Sequence, residues 1–135
     1  MRVLMADDDE SYLDTLRRMV CGWGHAVQPI TTGTAALTKV SAERFDLLLL
    51  DVFLPDMTAM ELIPALGAIA PDLPVITMTG QSSRELEREL RGLGIAYYMS
   101  KPFPKGELYF ILEHMAGRSR VPGRSRTKNA IINPT

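Results

Sequence analysis

Five short apolar runs, Val3–Ala6, Ala26–Ile30, Leu47–Leu50, Pro74–Met78 and Ile95–Met99, recur along the chain with helically spaced apolar residues between them. Strands and helices in alternation build a parallel sheet, because the chain must cross back over the sheet between neighbouring strands. The fold class is therefore α/β. Leu13, Leu16, Met19, Val20 and Trp23 mark helix one, with Gly24 as its left-handed stop. Thr34 is placed to cap a short second helix through Ala36, Leu37 and Val40. A third helix is expected over 59–70 with Leu62, Ile63, Leu66 and Ile69 inward, and Pro64 predicts a kink or an irregular start.

Ser82-Ser83-Arg84-Glu85 has the form of a capping box, so helix four should begin near Ser83. Leu86, Leu90 and Leu93 are sparse among charged residues, which predicts a partly buried helix. The last helix, from about Pro104 to Ala116, should bury Leu108, Ile111, Leu112 and Met115, and Tyr109 and Phe110 extend its apolar surface far enough to meet a partner.

Charge divides the 135 residues unevenly. Residues 1–116 carry ten Lys/Arg against sixteen Asp/Glu, a net −6, whereas 117–135 carry five basic residues and no acid. We read 1–116 as one domain and 117–135, rich in Gly, Pro and Ser without apolar periodicity, as a flexible basic tail or linker rather than a nucleic-acid contact. Cys21 is the only cysteine, which excludes a disulfide framework and a thiolate metal site and suits a reducing cytosol. It should sit buried on a helix face. Trp23 and the methionines are expected in the core, and His25 and His114 at the surface or its boundary. No uncharged apolar run approaches the ~20 residues that span a bilayer, and no signal-type segment opens the chain. The expectation is a soluble, cytoplasmic protein without a membrane partner.

Two of the apolar runs end in acid. Val3–Ala6 leads into Asp7-Asp8-Asp9, and Leu47–Leu50 into Asp51. In an open parallel sheet the functional crevice lies beyond the carboxyl ends of the strands where strand order reverses, commonly between the first and third strands. Asp7, Asp8 and Asp51 belong there. Crowded carboxylates repel unless a cation joins them, and oxygen-only ligands favour Mg²⁺, with Mn²⁺ as the alternative, over zinc. Thr79 and Lys101 follow the fourth and fifth strands. A hydroxyl and an ammonium at that edge can hold phosphoryl oxygens, and phosphoryl transfer asks mostly for such positioning.

The segments Val3–Asp9, Asp46–Asp56, Pro74–Gly80 and Tyr98–Phe103, in this order and at strand ends, resemble the response-regulator receiver domain of two-component signalling over residues 2–116. The resemblance implies a CheY-like, flavodoxin-like fold, a doubly wound five-stranded parallel sheet in the order 2-1-3-4-5 flanked by five helices. It implies that Asp51 accepts a phosphoryl group from a histidine kinase or phosphotransfer protein, and that Asp7, Asp8, Asp51 and the main-chain carbonyl of Phe53 bind Mg²⁺. Thr79 and Lys101 would hold the phosphoryl oxygens. Tyr98 matches the family's aromatic switch, which with Thr79 would pass the change to the surface of helix four, strand five and helix five, for an effector or a second copy to read. The Lys101–Pro102 bond would be cis. No separate turnover substrate is implied, so the chain is not read as an enzyme.

Two departures stand out. The loop after the acceptor lacks the glycine usual near Ala59, and Phe53 and Gln81 lie where the family tunes how long the phosphoryl group survives. One rival reading is an interaction module with the same fold that works without phosphorylation. Another, an aspartyl-phosphate hydrolase, is disfavoured by Phe53, since those enzymes need a second aspartate two residues beyond the nucleophile.

Overall fold

In a computed structural model, residues 1–120 are described. They form β1 (Arg2–Ala6), α1 (Glu10–Gly22), β2 (Ala26–Ile30), α2 (Gly33–Ala42), β3 (Leu47–Asp51), α3 (Ala59–Ile69), β4 (Val75–Thr79), α4 (Arg84–Gly92), β5 (Tyr97–Ser100) and α5 (Lys105–Arg120). All strand pairs are parallel, in the order β2-β1-β3-β4-β5. The chain divides into two units, Met1–Phe103 and a second beginning at Pro104.

Every residue of β3 and β4 is buried, as continuous apolar runs in the middle of a parallel sheet require. Alternate residues then feed two cores. Leu4, Ala6, Leu48 and Leu50 join Ala36 and Val40 of α2, Leu62 and Leu66 of α3, and Leu86 and Leu90 of α4 in one cluster. Val3, Met5, Leu47 and Leu49, equally buried, point to the opposite face, where the right-handed crossover from β1 to β2 places α1. Leu13, Leu16 and Val20 are the buried residues of that helix.

Local signals set the helix ends, with some changes from expectation. Gly24 has φ +97° and stops α1. Thr32, not Thr34, caps α2 by accepting the Ala35 N–H (3.1 Å), because the helix already begins at Gly33. The start of α3 is regular: Glu61 accepts the Thr58 N–H at 2.9 Å, and the helix runs on through Pro64 to Ile69. Ser83 caps α4 through the Leu86 N–H (3.1 Å), so the Ser82–Glu85 box does not form. Ala59 is the first residue of α3, where alanine needs none of the freedom a glycine offers. The loop before it is closed by a bridge between Phe53 and Thr58.

Several expected burials are corrected. Cys21 is exposed, since it falls on the outer face of α1. His25 is buried at 4% exposure, with Nδ1 3.1 Å from the amino-terminal nitrogen, whereas His114 is exposed. Ile69 and Leu93 end their helices in solvent. Met5, Met78 and Met99 are core residues, but Trp23 is only half-buried at the C-cap of α1. Helix α5 continues to Arg120, past the expected start of a flexible tail, and the remainder of that tail, 121–135, lies outside the described residues. Within the described residues no helix is long and apolar enough to cross a membrane.

Candidate functional site

Parallel register carries the predicted side chains to one sheet edge. Ala6 is aligned with Leu50, so Asp7 and Asp51 come next on adjacent strands. Asp51 is aligned with Met78, which sets Thr79 one residue further on. Thr79 is in turn aligned with Ser100, and Lys101 follows, donating its N–H to the Thr79 carbonyl at 2.8 Å. The strand order reverses between β1 and β3, and the acids stand at that reversal.

Asp7 is wholly buried, Asp51 is 8% exposed and Asp8 faces solvent. One carboxylate oxygen from each of the three lies within 4.8 Å of the others. Lys101 reaches into this cluster, with Nζ 2.6 Å from Asp7 Oδ2 and 3.7 Å from Asp51 Oδ2. The other oxygen of Asp7, Oδ1, accepts the Asp9 N–H at 3.0 Å, so both of its oxygens are held. Burial raises the pKa of Asp51 to about 6; Lys101 pulls it down, Asp7 pushes it up, and the Phe53 N–H and Asp8 add smaller opposing effects. The donor set is oxygen only and more negative than a single lysine balances, which fits a hard divalent ion.

Thr79 is 1% exposed, and its Oγ1 accepts the Gln81 N–H at 2.9 Å. Accepting that bond leaves its own proton available to donate. A Cβ on Gly80 would meet nothing within 4 Å, so the space beside Thr79 is open. Phe53 flanks Asp51 with 37% of its surface exposed. Lys101–Pro102 is cis. Tyr98 packs its ring against the main core cluster while its hydroxyl lies 2.7 Å from Ser82 Oγ, which also accepts from Ser100 Oγ at 2.8 Å.

The roles of three residues escaped the sequence reading. Tyr12 lies with its ring centroid 4.5 Å from Lys101 Nζ. Its signal was the Asp9-x-x-Tyr12 spacing of a helix cap, in which the Asp9 carboxylate accepts the Tyr12 N–H at 3.1 Å. Ser82 was assigned to a capping box and instead bonds Tyr98. Asp56, from the β3–α3 loop, accepts the Gly33 N–H (2.8 Å), the Thr34 N–H (2.9 Å) and the Thr34 hydroxyl (2.7 Å), capping α2 from another part of the chain.

The family model described as the response regulator receiver domain matches residues 3–113. The chain belongs to this family. A CheY-like receiver domain protein from Methanospirillum hungatei superposes with a TM-score of 0.80 at 30% identity, covering 88% of this chain and 96% of that one. The transcriptional regulatory protein ZraR of Escherichia coli is 34% identical over 111 residues, 82% of this chain and 25% of ZraR. The response regulator MprA of Mycobacterium avium is 31% identical over 122 residues, 89% of this chain and 53% of MprA. The receiver domain thus spans about a quarter to a half of these curated relatives. Both the expected fold and the resemblance are borne out.

Proposed function

We propose that this receiver domain takes up a phosphoryl group on Asp51 from a phosphohistidine of a kinase or phosphotransfer protein. The observation that carries the reading is the convergence of Lys101 on Asp7 and Asp51 at 2.6 and 3.7 Å, with Thr79 on the next strand. A pKa of about 6 leaves Asp51 ionised at neutral pH, as a nucleophile requires. One of its oxygens forms the bond to phosphorus as the P–N bond to the donor imidazole breaks, and the imidazole keeps that electron pair. Lys101 and the Thr79 hydroxyl stabilise the phosphoryl oxygens. A divalent ion, Mg²⁺ in this reading, held by Asp7, Asp8, Asp51 and the Phe53 carbonyl, would supply further neutralisation of those oxygens.

The signal would leave through Tyr98. Movement of Thr79 towards the phosphoryl group would displace the β4–α4 loop that carries Ser82, and a downstream effector or a second copy would read the altered α4–β5 face. The activity is that of a switch without a turnover substrate, in the cytosol. Incubation with acetyl phosphate and Mg²⁺, followed by intact-mass measurement, should show one added phosphoryl group in the wild type and none in Asp51→Asn. No gain, or a gain that persists in the variant, refutes the reading.

A further inference from the structure

We infer that Tyr12 is a positioning residue that holds the Lys101 ammonium at the acid cluster, an inference that rests on the reading of Asp51 as phosphoryl acceptor. The contacts form a closed circuit. Asp7 Oδ1 accepts the Asp9 N–H at 3.0 Å, and the Asp9 carboxylate caps α1 by accepting the Tyr12 N–H at 3.1 Å. The Tyr12 ring then faces Lys101 Nζ at 4.5 Å, and Nζ returns to Asp7 Oδ2 at 2.6 Å. Lysine is a flexible four-carbon chain whose charged end gains rotamer freedom unless something confines it. Asp7 confines it from one side and the electron-rich ring face from another. An ammonium over an aromatic face is attracted to it, the more so when partly shielded from water, and the Lys101 side chain is 19% exposed.

The consequence concerns the approach of the phosphoryl donor. When phosphoryl oxygens arrive beside Asp51, Lys101 must turn from Asp7 towards them, and the ring limits that movement to a short swing at the cluster edge. Without the ring, the ammonium is free to extend into solvent and must be recovered before each transfer. A ring is needed for this and a hydroxyl is not. Phenylalanine should therefore substitute for Tyr12 and leucine should not.

The test compares wild-type protein, Tyr12→Phe and Tyr12→Leu in two measurements. One is the initial rate of Asp51 modification by acetyl phosphate with Mg²⁺; the other is the proton shift of the Lys101 ε-methylene in ion-free protein, which an overlying ring moves upfield. The wild type and Tyr12→Phe should share the upfield signal and the rate, and Tyr12→Leu should lose the shift and slow roughly threefold to tenfold. Tyr12→Met replaces the leucine variant if that one does not fold. A ringless variant that phosphorylates at the wild-type rate, or keeps the upfield signal, overturns the inference. If the wild type itself takes up no phosphoryl group, the acceptor reading fails, and the methylene shift still decides whether the ring holds the lysine.

Discussion

Lys101 Nζ lies 2.6 Å from Asp7 and 3.7 Å from Asp51, so one cation bridges the ends of two strands that the sheet already holds side by side. It is the largest influence lowering the Asp51 pKa. Lys101→Met should therefore raise that pKa above its present value of about 6 and slow phosphorylation by acetyl phosphate on the order of 100-fold, the usual loss when one donor to a developing charge is removed. The same change should tighten divalent-ion binding, since it removes a competitor for Asp7. Isothermal titration with Mg²⁺ reads that effect, and weaker binding in the variant would contradict it.

Asp51 also makes stability depend on pH. Its pKa is raised on folding from 3.8 to about 6, mainly by burial, so the folded state binds a proton more readily than the unfolded state. The contribution is fully present below pH 3.8 and is lost as pH rises through about 6. Asp51 stands at a sheet edge beside the exposed Asp8, and screening by water there keeps the effect to about 1 kcal/mol. Urea midpoints of ion-free protein at constant ionic strength should show this component falling between pH 4 and 6. It should vanish in Asp51→Asn. Saturating Mg²⁺ should restore stability at pH 7 by binding the folded state alone.

Where the sequence was legible, one local rule decided each feature. Acids ending apolar runs located the site because parallel register converts strand ends into a row: Ala6 with Leu50, then Asp51 with Met78, then Thr79 with Ser100. The misreadings came from competition between rules. Thr34 looked like a helix cap, and Thr32 is equally good; the helix begins at Gly33, so Thr32 caps it, and Thr34 instead gives its N–H and hydroxyl to Asp56 on a loop over twenty residues away. Ser82 had the spacing of a capping box, but the Tyr98 hydroxyl, sixteen residues on, claimed it. Such long-range partners leave no periodic trace. His25 has neither a motif nor a periodicity to announce its burial.

The hydrogen bond between Ser82 and Tyr98 is expected to bias the tyrosine towards its present position. Ser82→Ala removes the Tyr98 partner and that of Ser100, a loss of about 1 kcal/mol for partly exposed hydroxyls. Phosphorylation should proceed within about twofold of the wild-type rate, because neither hydroxyl touches the acid cluster. What should change is the ring of Tyr98. Its aromatic proton resonances in the unphosphorylated variant should move towards those of the phosphorylated wild type, and identical spectra for Ser82→Ala and the wild type would show that the bond does not restrain the ring.

Asp56 provides an acid-sensitive anchor with the opposite sign to Asp51. The Gly33 N–H, and then the hydroxyl and N–H of Thr34, hold its pKa down to about 2 from 3.8, because each donor favours the charged carboxylate. A depressed carboxylate stabilises the fold above its unfolded pKa and loses that contribution as pH falls through the folded value. The anchored end of α2 should therefore loosen between about pH 4 and 2. Asp56→Ala removes three acceptor contacts from the first turn of a ten-residue helix, which has no acidic residue of its own there. Amide exchange at Gly33 and Thr34 should accelerate by roughly tenfold or more at pH 7, as expected when a capping interaction is lost. Protection in the β3 core should change less. Equal exchange at Gly33 in both proteins would mean that Thr32 alone secures the helix start.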